Sequence, residues 1–239
     1  MFMNSKETNN KISSLVAGLG LAYPIAAHVA VTRSAPSLIA ASVGLLILIG
    51  LLPGLFARQP LAWALLVSIS VGLYAAASHG YALLLLFLPP VLINTYVGWL
   101  FVRSLHKTRI PLIEQVIRAL QPAGKNIEAP VTEYARSLTL FWAALLIGLS
   151  IINLLLALLA NPGGILLAAG VTPPITVPLS VWSLFANVIN YLIIAVVFAA
   201  EFQLRQRRFP DQPFDGFIDF LLKLSSIHHI FRRSGRDTT

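Results

Sequence analysis

Any reaction in this chain would have to draw on five histidines, nine carboxylates and no cysteine. His106 lies close in sequence to Arg103, Lys107 and Arg109, and such a cluster suits a phosphate group. It equally reads as a solvated basic loop. His228 and His229 are adjacent, so on a helix they point in different directions and make a poor metal pair. Asp215 and Asp219 are the only carboxylates that look paired at a membrane surface. No Walker loop, HExxH helix or GxSxG elbow is present. The absence of cysteine removes disulfides and thiol nucleophiles. The expectation is no catalytic constellation, no metal site and no cofactor.

The polar residues that stand out are those inside apolar runs. His28 is the only ionisable group within one. It reads as a histidine near an interface or hydrogen-bonded inside a bundle, because a proton relay would want a carboxylate within the bilayer. Asn94, Asn153, Asn187 and Asn190 are the remaining strong polar groups there. Asn187 and Asn190 are three apart and would share a helix face. They read as interhelical hydrogen-bonding residues, with a polar groove for a lipid headgroup as the alternative.

The elements that carry these residues follow from hydropathy. Of 239 residues, 57% are hydrophobic and 11% charged. Mean hydropathy is +0.80. A soluble domain carries about 25% charged residues, so this chain lacks the polar surface to face water on all sides. A spanning helix needs about 20 apolar residues. Six segments qualify: 13–31, 38–56, 61–78, 81–102, 138–160 and 181–200. The first is not read as a cleavable signal. Its apolar run is long, and Arg33 and a second span follow without a clear small-residue cleavage site. The fold expected is an all-α, polytopic membrane helix bundle, a single integral domain over 1–239. Gly50 with Gly54, and Gly18 with Ala22, give spacings that let helices approach closely. Pro89–Pro90 interrupts the fourth span and frees a backbone carbonyl one turn earlier.

Basic residues fall almost entirely in alternate connections. Lys6 and Lys11 precede the first span, and Arg58 follows the second. Arg103, Lys107, Arg109, Arg118, Lys125 and Arg136 lie in the fourth connection. The tail holds Arg205, Arg207, Arg208, Lys223, Arg232, Arg233 and Arg236. Of the 17 basic residues only Arg33 is on the other side. Positive charge marks the cytoplasmic side. The expected location is therefore a bacterial inner membrane, with both termini cytoplasmic. The net charge of +8 is explained by this topology, and no nucleic-acid partner is expected.

Two cytoplasmic segments are expected to carry amphipathic helices. In the loop over 103–137, Pro111 suits a first helical turn. Ile113, Val116, Ile117 and Leu120 then fall at helical spacing opposite Glu114, Gln115 and Arg118. This reads as a helix lying on the inner leaflet. In the tail over 201–239, Pro210 should end the last span near Phe209. Phe214, Phe217, Ile218, Leu221 and Leu222 then form a stripe opposite Asp215, Asp219 and Lys223. The fifth connection, 161–179, is uncharged and rich in glycine and proline. It is expected to lie against the outer leaflet or fold over the bundle, with a re-entrant segment as the alternative.

Two stretches carry a family resemblance. One reads FVRSLHKTRIPLIEQVIRAL over 101–120, followed by YARSLTLFW over 134–142. The other reads WSLFANVINYLIIAVVFAAEFQLRQRRFPDQPFDGFIDF over 182–220. Together they resemble a family of uncharacterised bacterial inner-membrane proteins. Members are often encoded beside ketosynthases and acyl carrier proteins of fatty-acid or aryl-polyene type pathways. The family pattern often has an acidic residue before the proline of the first stretch, where this chain has Ile110. The resemblance implies a pathway context and carries over no catalytic residue.

The function expected is a non-enzymatic membrane component. Its basic face, with Arg103, Lys107, Arg109, Arg118, Arg205, Arg207 and Arg208, would meet anionic lipid or recruit acidic partners. Acyl carrier, ketosynthase or acyltransferase proteins are the partners the resemblance implies. The alternative is a lipid or polyene-lipid transporter without ion coupling, built on Pro89–Pro90, Asn94, Asn187 and Asn190.

Overall fold

The computed structural model describes residues 5–33, 35–120 and 129–208, with only the backbone for 5–13 and 17. The amphipathic helix expected between Pro213 and Lys223 lies outside the described residues, as do Lys125, His228, His229 and the arginines beyond Arg208.

Helices dominate, in the order α1 (Ser5–Thr32), α2 (Pro36–Phe56), α3 (Pro60–Ser78), α4 (Ala82–Ser104), α5 (Leu112–Leu120) and α6 (Ala129–Leu159). A two-residue strand β1 (Ala160–Asn161), a one-turn helix α7 (Ile165–Ala168) and strand β2 (Val177–Pro178) follow. The last long helix starts as α8 (Leu179–Leu184), widens into a π-helical turn over Phe185–Ile189 and continues as α9 (Asn190–Arg208). Among the described residues, six helices are long and apolar enough to cross a membrane: Ser14–Thr32, Pro36–Phe56, Pro60–Ser78, Ala82–Ser104, Ala129–Leu159 and Leu179–Arg208. At about 1.5 Å per residue, even the 19-residue spans reach about 28 Å, close to the thickness of a bilayer core. The chain is an all-α bundle of membrane-protein type.

The expected boundaries shift at two places. Helix α6 starts at Ala129 rather than 138, and α9 runs on to Arg208 rather than stopping at 200. Hydropathy marks where a helix is apolar and is blind to polar turns that extend it. Pro130 sits in the first turn of α6, where its missing N–H breaks no helical bond. Helix α4 continues through Pro89 and Pro90 and is not interrupted as a helix.

Two compact units divide the chain. One comprises Met1–Leu92 and Ile151–Leu192, the other Ile93–Ser150 and Ile193–Thr239. In the first, Tyr23, Ala27, Ala30 and Val31 of α1 join Ile39 and Val43 of α2, Leu86 and Phe87 of α4, and Trp182 of α8 in one buried cluster. Small residues on α1 allow this close packing. Phe87 meets Trp182 edge-on, with ring centroids 4.5 Å apart. The fifth connection is ordered. It leaves at β1 and returns at β2 as a parallel pair, Ala160 opposite Val177 and Asn161 opposite Pro178. Val171 and Ile175 on it remain exposed. In the second unit, Leu138, Trp142 and Leu146 of α6 form a core with Val97 and Phe101 of α4, Ile113 of α5, and Ile194, Val197 and Phe198 of α9.

Candidate functional site

Among the described residues, the loop between α4 and α5 holds an accessible cluster of cations, and its geometry is set by its neighbours. Ser104 Oγ accepts the Leu112 N–H at 3.0 Å. Thr139 Oγ1 accepts the Ile113 N–H at 3.3 Å. These are among the first N–H groups of α5, which have no partner inside their own helix. Arg136 of α6 donates to the Leu105 carbonyl at 3.2 Å, and the Arg109 N–H closes a turn onto the His106 carbonyl at 2.9 Å. The loop is thereby braced by Ser104 at the end of α4 and by Arg136 of α6.

Helix α5 is amphipathic as expected, and its seat differs from the expectation. Leu112, Val116 and also Glu114 are buried. Helical spacing places Glu114 on the polar side. It is buried because Arg118 one turn on covers it, with Nη2 at 2.6 Å and Nε at 2.9 Å from the same carboxylate oxygen. The helix is packed against protein, and Arg118, itself still exposed, is paired with Glu114.

The braced loop forms one side of an open groove of about 590 Å³ lined by Trp99, Val102, Arg103, Leu105, His106, Thr108 and Arg109. The Arg103 guanidinium lies 5.2 Å from the centre of the Trp99 ring, a cation–π contact. His106 Nδ1 is 3.1 Å from Thr108 Oγ1. His106, Lys107, Thr108 and Arg109 are exposed. No carboxylate pairs with Arg103, Lys107 or Arg109 among the described residues.

The basic end of α9 divides. Arg207 and Arg208 are exposed, and Arg208 lies 5.5 Å from the Tyr134 ring centre. Arg205, expected on the same basic surface, is only 4% exposed. Its Nε is 3.5 Å from Glu201 Oε1, and Tyr134 donates its hydroxyl to that oxygen at 3.4 Å. Residues 201 and 205 are one turn apart, so they meet on one face, and that face points into the core. Arg205 is therefore a core residue, not a docking cation. In the sequence Glu201 is the acid just past the end of the sixth span, 181–200. An acid and a base four apart at the end of an apolar helix were the signal for this pair.

The intramembrane polar residues lie in both units. In the first, His28 Nδ1 is 3.0 Å from Ser183 Oγ, so this histidine is hydrogen-bonded inside the bundle. Asn187 donates to the Ser183 carbonyl at 3.0 Å and to its hydroxyl at 3.3 Å. Asn190 Oδ1 accepts from Asn153 Nδ2 at 3.2 Å. The two asparagines three apart thus do different work. Asn187 bonds within its own helix, and Asn190 reaches α6. The π-helical turn over Phe185–Ile189 contains Asn187 and changes the angular step before Asn190, a split that straight-helix spacing does not anticipate. In the second unit Asn94 is buried, and Thr95 Oγ1 lies 2.6 Å from Ser150 Oγ. Replacing Asn153 with leucine removes the tie to Asn190. The expected loss is about 0.6–1.7 kcal/mol, the range for such bonds in membrane bundles. Thermal unfolding in detergent would read it, and an Asn190→Leu background should abolish most of the difference.

Among the described residues no group of three histidine, aspartate or glutamate side chains is placed to hold a metal ion. Set against known protein families, curated proteins and solved structures, the chain matches none. The groove and its loop therefore stand on their own geometry.

Proposed function

We propose that the protein is a non-enzymatic, multi-pass component of a bacterial inner membrane that recruits an acidic soluble partner to the bilayer surface. The observation that carries this reading is the braced basic loop. Lys107 and Arg109 project from it without a carboxylate partner among the described residues, with Arg207 and Arg208 also exposed on the same unit. A rigid display of unneutralised cations steers and orients an oppositely charged protein. It also matches the topology read from charge, in which this loop and both termini are cytoplasmic. The family resemblance makes an acyl carrier, ketosynthase or acyltransferase protein of a fatty-acid or polyene pathway the partner to seek.

Transport of lipid would want a polar path through the bundle. Asn153, Asn187 and Asn190 instead bond to one another or to their own helix, which favours recruitment. The test is charge reversal at Lys107 and Arg109. Crosslinking in intact cells followed by affinity purification should recover acyl carrier or ketosynthase proteins with the wild type and lose them with Lys107→Glu/Arg109→Glu. Membrane insertion should be unchanged, since the residues are exposed loop positions. Equal recovery from both proteins would remove the proposal.

A further inference from the structure

The face of α4 that leads up to the same groove, entering it at Trp99 and Arg103, differs in its chemistry from the loop on the other side. Helix α4 presents Ile93, Tyr96, Trp99 and Arg103 within about 120° of one another around its axis, by helical spacing of 3.6 residues per turn. Ile93, Tyr96 and Trp99 are all exposed large apolar or aromatic side chains. Tyr96 and Trp99 stack, with centroids 6.3 Å apart and planes inclined by 27°. From Ile93 to Arg103 the helix rises about 15 Å, half the thickness of a bilayer core of about 30 Å. One helix face therefore runs from an apolar residue, through a pair of interfacial aromatics, to a cation in a single leaflet's depth. Tyrosine and tryptophan prefer that headgroup level. Arg103 is held over Trp99, and His106 keeps Nε2 as its remaining hydrogen-bonding atom once Nδ1 is engaged with Thr108.

We infer that this face is a binding site for one anionic phospholipid, its acyl chains against Ile93, Tyr96 and Trp99 and its phosphate held by Arg103 and His106. Three features set it apart from an ordinary lipid-facing helix. The groove is already open and braced through Leu105 by Arg136. No carboxylate competes for Arg103 among the described residues. The guanidinium rests 5.2 Å from the Trp99 ring centre and carries N–H donors suited to phosphate oxygens. A basic recess at the end of a membrane helix, with cations at headgroup level, is how such lipids are recognised. The site uses Trp99 and Arg103 rather than the rim residues Lys107 and Arg109, so it does not rest on the recruitment reading.

The test needs no protein partner. The full-length protein is reconstituted in bilayers of equal phosphatidylglycerol and phosphatidylcholine, released into mild detergent and examined by native mass spectrometry for retained lipid. The wild type should retain phosphatidylglycerol preferentially. Arg103→Ala should lower that preference about fivefold, the effect of one basic residue near an anionic surface. Trp99→Leu should lower it about two- to fivefold through the lost cation–π support. Trp99→Leu is a surface exchange of apolar for apolar and carries the test should Arg103→Ala fail to fold. Lys107→Ala, outside the groove lining, should leave the preference intact. Equal retention of the two lipids by the wild type would overturn the site. So would a loss from Lys107→Ala as large as that from Arg103→Ala, which would mean diffuse surface charge. Displacement of the lipid by millimolar glycerol phosphate would show a headgroup-only phosphate site and overturn the role given to the apolar face.

Discussion

Replacing Glu201 with glutamine is expected to destabilise the protein by about 3–5 kcal/mol, the cost of leaving one partner of a buried ion pair uncompensated. Glu201 and Arg205 are 8% and 4% exposed, so neither charge has much water to turn to. Glutamine keeps the shape and a hydrogen-bond acceptor for Tyr134 and removes only the charge. The loss therefore isolates the electrostatic part of the cluster. The companion variant Glu201→Leu/Arg205→Met removes both charges at similar volume. It should recover most of the stability, because a well-packed apolar pair often equals a buried ionic one. Thermal unfolding of the purified protein in detergent, read by loss of monodispersity, would give the order wild type and double variant together, single variant well below. If Glu201→Gln matches the wild type, Arg205 reaches water at the helix end by snorkelling, and the Glu201 charge does not help hold α9 to Tyr134 of α6. The consequence extends to the basic surface. Arg207 and Arg208 follow Arg205 on the same helix and Arg208 lies over Tyr134, so loosening the pair should also weaken any partner that reads those two cations.

Gly164→Ala is expected to cost about 3 kcal/mol or more, at the upper end of overpacking effects. A Cβ at this position would collide with the Ala160 carbonyl oxygen and sit 2.8 Å from its amide nitrogen. Both are backbone atoms, so no rotamer change relieves the clash. The same carbonyl accepts the Gly164 N–H at 2.9 Å, and Ala160 is fully buried and paired with Val177. The chain would have to surrender the turn, the β1–β2 pairing or both. Limited proteolysis should then cut the 161–178 connection in the variant while leaving the wild type intact. Gly18→Ala is the matched control. Nothing lies within 4 Å of its would-be Cβ, and alanine suits a helix better than glycine. Equal protease resistance of Gly164→Ala and wild type would show that the connection tolerates a different path.

The spans among the described residues were readable from sequence because a bilayer core imposes one requirement, length without charge, and six helices there meet it. The short helix Leu112–Leu120 was readable for a similar reason, since its apolar residues repeat at helical spacing. Its burial was not. Glu114 is apolar in effect only because Arg118 folds back over it, and one-dimensional patterning assigns a carboxylate to the outside. Arg205 misled in the same way. A run of arginines after a span looks uniform in sequence, while successive helical residues point in different directions. Only the packed helix shows that residue 205 faces Glu201 and Tyr134 and that residues 207 and 208 face out.

What the sequence determined by itself is the class of the protein: an all-α membrane bundle, with its basic residues segregated. These properties are sums over many residues, and a sum survives ignorance of contacts. What the tertiary structure decided is which individual polar groups are spent and which remain. His28 is spent on Ser183, Asn190 on Asn153, Arg118 on Glu114 and Arg205 on Glu201. Arg103, Lys107 and Arg109 remain beside an open groove. Pairing depends on a few ångströms between residues distant in sequence, and hydropathy and charge counting carry no such information.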